Sequence, residues 1–335
     1  MDPRDALFLS LLAAEDIVSR LDEQLRSYGA RGGLLARLDF EEASAWAWNS
    51  GFSATTEDLV LHHEAMDLRP PTQELRAADG YARARRKAAS AGPELLSFEG
   101  ARWLMALRRT PPPPSRETPD APSPALASDG SDMFSALDSQ IRALEAESTE
   151  SPDVDFREWL SILLAPQTGR PPLLQAALAL EAWTLIEPYP RHTYLGPLLV
   201  GVWLRSVKRV PSHLFTFERG VRAYRRRSPR RANLAPLERI DRWLKAIAEA
   251  ARATQAEFYR LELKRQLLQQ RAKNRRSDSR LDDAITLIMA SPIITIPMMA
   301  KSLKMTQTGA ARILEILGPH LTEITERPRY RAWRA

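Results

Sequence analysis

Residues 293–333 read IITIPMMAKSLKMTQTGAARILEILGPHLTEITERPRYRAW, and this stretch decides the fold of the C-terminal part of the chain. Ile293, Ile294 and Ile296 are β-branched, which predicts one short strand. Pro297 suits the first turn of a helix, so PMMAKSL opens one there. Lys304-Met305 forms a tight turn, and Thr306 caps the helix TQTGAARILEIL, because its hydroxyl accepts from an otherwise unpaired backbone N–H. After Gly318-Pro319, the residues Leu321, Ile324, Tyr330 and Trp333 fall in two short runs around Arg327-Pro328-Arg329, the pattern of a β-hairpin with a basic tip. Two short helices across a tight turn, followed by a basic hairpin, predict a winged helix-turn-helix. A further apolar-periodic helix, Arg280 to Ala290, stands in front of it and ends at Ser291-Pro292.

On the helix 306–317, helical spacing turns Ala310, Ile313, Leu314 and Leu317 inward and Gln307, Thr308, Ala311, Arg312 and Glu315 outward. Gln, Thr and Arg are the side chains that read base edges or hold phosphates. Thr306, Gln307, Thr308 and Arg312 are therefore the candidate major-groove residues, and Arg327, Arg329 and Arg331 of the wing suit the DNA backbone. Double-stranded DNA is the expected partner. The plainer alternative is a winged helix used for protein contacts alone, since Glu315, Glu323 and Glu326 lie close by.

Composition narrows the rest. The 335 residues are 44% hydrophobic and 27% charged, a globular mixture long enough for about two domains. There is no cysteine, which excludes a disulfide scaffold, a thiolate metal site and cysteine catalysis. Of the 5 histidines, His62 and His63 are adjacent and point different ways on a helix, so no metal site and no cofactor is expected. The longest apolar run, Tyr194 to Leu204, is shorter than the roughly 20 residues of a membrane helix. The acidic start, Asp2, Asp5, Glu15 and Asp16, is unlike a signal peptide, and the expectation is a cytoplasmic protein without membrane contact.

The remaining periodicity is helical throughout, and the fold class expected is all-α with one small winged-helix domain. Helices are predicted over 4–28, 40–49, 56–66, 72–89, 93–107, 133–147, 153–164, 172–186, 194–208 and 235–273, the last with a break left open. The segment 110–132, TPPPPSRETPDAPSPALASDGSD, is rich in Pro, Ser and acidic residues and reads as a flexible linker. This divides the chain into an N-terminal helical domain 1–109, the linker 110–132, a helical core 133–276 and the winged helix 277–335. The formal net charge of +6 is unevenly spread: residues 220–276 hold 17 Lys and Arg against 5 Asp and Glu. Arg225, Arg226 and Arg227 head the densest run, YRRRSPRR at 224–231, and are expected on phosphates.

Residues 179–200, ALEAWTLIEPYPRHTYLGPLLV, resemble the core motif of the Fic (filamentation-induced-by-cAMP) family, H-P-F-x-[D/E]-G-N-G-R followed by a helix starting G-R-L-L. Trp183 holds the aromatic place before the motif, Ile186 the apolar one, Pro188-Tyr189 the Pro-Phe, and Gly196-Pro197-Leu198-Leu199 the following helix start. NSGFSATTEDLVL at 49–61 is similar to the family segment that carries an inhibitory glutamate, and ILGPHLTEITERPRYRAW at 316–333 to the winged helix that closes many of its members. The chain is also similar to plasmid-associated alphaproteobacterial proteins with a C-terminal helix-turn-helix.

The resemblance implies a Fic-like helical core, and the departures imply lost nucleotidyl transfer. Glu187 stands where the family has its general-base histidine, and a carboxylate with an ordinary pKa near ~4.3 is a poor base at neutral pH. Arg191 replaces the residue that holds Mg²⁺, with the wrong sign for a metal. His192-Thr193-Tyr194 replaces the Gly-Asn-Gly anion nest, the motif arginine has no counterpart, and Ser50 stands at the inhibitory glutamate. His192 as a displaced base is weighed against a plain turn histidine, and the second is favoured. Catalytic residues are therefore expected to be none, with Glu187, Pro188, Tyr189, Arg191 and Gly196 as degenerate motif positions. The expected function is a DNA-binding regulator, with the helical domains serving a homodimer or a protein partner. The alternatives are a divergent transferase of AMP onto a protein hydroxyl and a toxin–antitoxin component.

Overall fold

The computed structural model describes residues 2–335 except 68, 107–129, 147–150, 167–168, 226–233, 274–278 and 326–330. Arg226, Arg227, Arg327, Arg329 and nearly all of the expected linker lie outside the described residues, as does the side chain of Arg225.

The helices follow the apolar spacing. The helix α1 (Pro3–Ser27) is capped by Asp2 and buries Leu7, Leu11, Ala14, Val18, Leu21 and Leu25 on one stripe. It is followed by α2 (Arg31–Asn49), α3 (Thr56–His63), α4 (Gln73–Ser90) and α5 (Phe98–Ala106). Then come α6 (Gly130–Ala146), α7 (Pro152–Leu163), α8 (Pro172–Ile186), α9 (Leu195–Ser206) and α10 (Phe217–Arg225). The long α11 (Pro236–Lys273) and α12 (Ser279–Ala290) lead to the C-terminal module. That module is β1 (Ile294–Thr295), α13 (Ile296–Ser302), α14 (Gln307–Leu317), β2 (Thr322–Glu323) and β3 (Ala332–Arg334). The described residues are thus mainly helical with one three-stranded antiparallel sheet, in the order β1-β3-β2.

Several boundaries differ from the sequence reading, each for a physical reason. The helix expected at 40–49 begins at Arg31, because Gly32-Gly33 interrupts the apolar stripe without breaking the backbone. The span 93–107 is a 3₁₀ turn, Pro93–Leu95, and a separate helix from Phe98, with the Ser97 hydroxyl accepting from Gly100 N at 3.1 Å. α6 starts at Gly130, inside the expected linker. The helix 236–273 is unbroken over 38 residues. Ile296 starts α13 and is not in the strand, since the Thr295 hydroxyl caps that helix at Met298 N.

α10 was not expected at all. Its first N–H groups are satisfied from α2: Glu42, fully buried, accepts from Glu218 N at 2.9 Å and Arg219 N at 3.0 Å. Burial raises the Glu42 carboxyl, opposed by the neighbouring Arg85. Arg85 in turn donates to Asp39 Oδ1 and to the carbonyls of Leu214 and Phe215, holding the approach to α10.

The described residues before 107 and after 129 share one core. α1 packs along α11, and α2 packs on α10 and α4, so residues from both sides of that span share one apolar cluster. Six of the tryptophans, at 46, 103, 159, 183, 203 and 333, are buried in that cluster.

Candidate functional site: a winged helix and a cavity

The winged helix assembles as its sequence spacing predicts. Thr306 has extended backbone and its hydroxyl accepts from Gly309 N at 3.2 Å, which starts α14. Ala310, Ile313, Leu314 and Leu317 are buried, with Ile316 added to them. Gln307, Thr308, Arg312 and Glu315 are exposed on the opposite face. Lys304 closes the turn before α14 in the left-handed region, at φ 49°.

β3 is the centre of the sheet: Trp333 lies opposite Ile294 of β1 and Glu323 of β2. Arg331, at the root of the wing, forms an ion pair with Glu323 and lies 4.9 Å above the Trp333 ring. The Glu323 carboxylate raises the Arg331 pKa, and the pair lowers that of Glu323. A phosphate contact from Arg331 would compete with that pair, unlike one from the exposed Arg312.

The basic segment 220–276 is partly self-neutralised. Along α11, Arg252 pairs with Glu249, Arg260 with Glu257, Arg265 with Glu262 and Lys245 with Asp241. Arg239 reaches Glu181 of α8 at 3.1 Å. Arg222 and Arg242 lie over the rings of Trp48 and Tyr224. The spacing of the acidic residues, three or four before each base, is the signal the net count hides.

The motif-like turn after α8 does not fill itself in. It borders a cavity of about 950 Å³. Glu187 ends α8 with left-handed backbone, φ 48° and ψ 54°, its N–H donating to Trp183 O. Trp183 donates to Thr193 O at 2.9 Å, and Trp46 of α2 donates to Thr193 Oγ1 at 2.9 Å, so two indoles pin the turn. Glu187, Arg191 and Ser50 all line the cavity, which brings together the two separate stretches, 49–61 and 179–200, that the sequence resemblance singled out. Pro188 is buried, and Tyr189 donates to Asp153 Oδ1 at 3.0 Å. Gly196 packs under Trp183, where a Cβ would come within 2.2 Å of the indole. His192 contacts the Tyr194 hydroxyl at 3.2 Å and is not among the lining residues. Burial, then Arg191, lowers its pKa.

The far wall was missed from sequence. It comes from α10 and α11, where Glu218, Tyr224, Arg239, Arg242 and Trp243 face the cavity. Trp243 donates to Glu181 Oε2 at 3.0 Å. A tryptophan inside a strongly basic helix was the available signal. His62 pairs with Asp67, and His63 lies against Arg86, so the adjacent histidines do diverge. Among the described residues no group of three or more His, Asp or Glu is placed to hold a metal, and no helix is long and apolar enough to cross a membrane.

These features define a helix-turn-helix DNA-binding module carried on a helical core. A family model described as an HTH DNA-binding domain matches residues 281–334, and one described as a protein of unknown function (DUF1612) matches 151–273. The relative named uncharacterized protein y4cF, from Sinorhizobium fredii, is 32% identical over 94% of this chain and 93% of its own length. The chain belongs to the same family as that protein. Among solved structures, a Fic family protein from Desulfovibrio desulfuricans G20 aligns with 98% of this chain and 96% of its own, at TM-score 0.47 and 13% identity.

Proposed function

We propose that the protein is a DNA-binding regulator that acts in the cytoplasm, with its core no longer an enzyme. The observation that carries this is the exposed face of α14, where Gln307, Thr308 and Arg312 stand free of the core behind a capped helix start. That face inserts into a major groove, and the hydroxyl hydrogen of Thr306 remains to donate to a phosphate. Arg327, Arg329 and the arginines of 224–231 neutralise phosphates. A homodimer would set two such faces on a two-fold site. The test is fluorescence anisotropy with a random-sequence duplex pool at low salt, followed by selection of the bound fraction. Binding that weakens steeply with salt and enriches one sequence is expected. No binding at about 50 mM salt would sink the reading.

The open cavity favours keeping one second reading in view, a divergent transferase of AMP. Against it stand Glu187 and Arg191 in place of a neutral base and a metal carboxylate. Mg-ATP is expected to leave the melting temperature unchanged; a concentration-dependent rise would revive the enzyme.

A further inference from the structure

Two helices line the cavity at one end and hold the winged helix at the other. α2 contributes Trp46 and Asn49 to the cavity. Near its start, Arg37 donates to the carbonyls of Met289, Ile288 and Ser291 at 2.9, 3.0 and 2.6 Å, taking up the C-terminus of α12. One turn earlier Gly33 lies so close that a Cβ would come within 1.8 Å of Met289 O. α11 contributes Arg239, Arg242 and Trp243 to the cavity. Further along, Arg260 donates to Ala335 O at 3.0 Å and Lys264 to His320 O at 2.7 Å. At about 1.5 Å per residue, the cavity and these grips are about 13 Å apart on α2 and about 25 Å apart on α11.

The lining also says what the cavity takes. Aromatic rings form much of its wall: Trp46, Phe52, Trp183, Tyr224 and Trp243. Glu181 is matched by Arg239 and the Trp243 indole, and Glu218 accepts from Asn49 Nδ2 at 2.6 Å. Of the other charges at the lining, Glu187 is of one sign and Arg191 of the other. A ligand of a single sign would meet its own charge at the lining. A ligand carrying both signs on an apolar body meets neither penalty, and the volume lies within the range of small-ligand sites.

We propose that the cavity is an effector site for a zwitterionic ligand with an apolar body, an amino acid or short peptide, and that α2 and α11 carry its occupancy to the winged helix. The coupling half rests on the DNA-binding reading above; the ligand half does not. A body wedged between the α2 and α11 walls tilts two rigid rods. The contact at Gly33 has no slack, so the tilt is felt at α12. The docked module presents its reading face, so loosening it weakens DNA binding.

The test uses the full chain and the dipeptide Phe-Phe, with its N-acetyl form (an anion) and its amide (a cation) as controls. Calorimetry is expected to show Phe-Phe binding about tenfold or more tighter than either blocked form. Ala77→Trp, which fills the cavity from α4, abolishes that binding. Saturating Phe-Phe weakens DNA binding by about fivefold or more, and saturating DNA weakens Phe-Phe by the same factor. Arg37→Met removes the coupling and keeps peptide binding; Arg260→Gln serves if that variant does not fold. Equal binding of the three peptides, or none at about 1 mM, overturns the ligand class. Unchanged DNA affinity with the cavity saturated overturns the coupling. Absence of DNA binding with and without peptide overturns the DNA-binding reading and the coupling with it, while calorimetry still decides the ligand.

Discussion

Arg312 and Arg329 differ in what they are expected to touch, and that difference is measurable. Arg312 is exposed on the outward face of α14, where a guanidinium meets base edges. Arg312→Ala should therefore lower affinity for the selected sequence by about 1–3 kcal/mol and relax specificity there. Arg329→Ala should weaken all sequences alike and reduce the slope of log affinity against log salt by about one. Anisotropy titrations at three salt concentrations on selected and random duplexes separate the two; identical losses on both duplexes for Arg312→Ala would contradict a reading role. His213 makes a prediction of another kind. It is buried, its Nδ1 meets Ser212 Oγ at 2.9 Å, and its Nε2 has no hydrogen-bond partner. Burial pushes its pKa down to about 4. The unfolded chain, with an ordinary histidine, binds the proton between pH 6.5 and 4 while the folded chain does not. Stability due to this group is thus complete above pH 6.5 and is lost as pH falls towards 4, by on the order of 3 kcal/mol. His213→Gln should flatten that part of the denaturant-midpoint profile; an unchanged acid slope would refute the assignment. Of these features only the adjacent Ser212 is visible in the sequence; the burial of His213 and its unpartnered Nε2 are not.

At the scale of elements, legibility followed locality. The winged helix was readable because its signals are adjacent in sequence: Pro297, Thr306, Gly318-Pro319 and the hairpin aromatics each act within a turn or two. α10 was not, because its N-terminal N–H groups are satisfied by Glu42, 176 residues before Glu218. α2 was half-read, since Gly33 looks like a breaker until α12 is placed against it. In that contact Gly33 is required for close approach, not for backbone freedom. Gly33→Ala would push a methyl group into the Met289 carbonyl, and backbone on both sides leaves no flexible atom to yield. The expected outcome is a lower melting temperature, by an amount matching a cost of about 1–3 kcal/mol, with faster amide exchange in α12 than in α8. Equal protection in the two helices would show that the winged helix is not held at this point. The candidate site divided the same way. The near wall, Glu187, Arg191 and Ser50, comes from motif-like stretches, whereas Trp243 and Arg242 lie in a helix whose periodicity and charge say nothing of a cavity.

For the whole molecule, composition marks the segment 110–132 as a boundary between domains, but composition reports only on the segment itself. What lies either side is decided by which apolar stripes face each other. The stripe of α1, from Leu7 to Leu25, is closed by α11 from the far side of the segment, and α2 is closed by α10. Arg85 of α4 donates to Leu214 and Phe215, and Arg209 forms an ion pair with Glu15 at 2.5 Å. Apolar burial at about 25 cal/mol per Å² over interfaces of this kind outweighs the loss of one covalent connection. A chain cut once between residues 107 and 129 should therefore stay together. Limited proteolysis, with the cut mapped by mass spectrometry, should give two fragments that co-elute in gel filtration at the position of the intact chain. The cut protein should also melt in one transition and bind DNA with unchanged affinity, since the recognition face and the grips of Arg37 and Arg260 are untouched. Two separately eluting fragments, each with its own transition, would instead support the division into an N-terminal domain and a core.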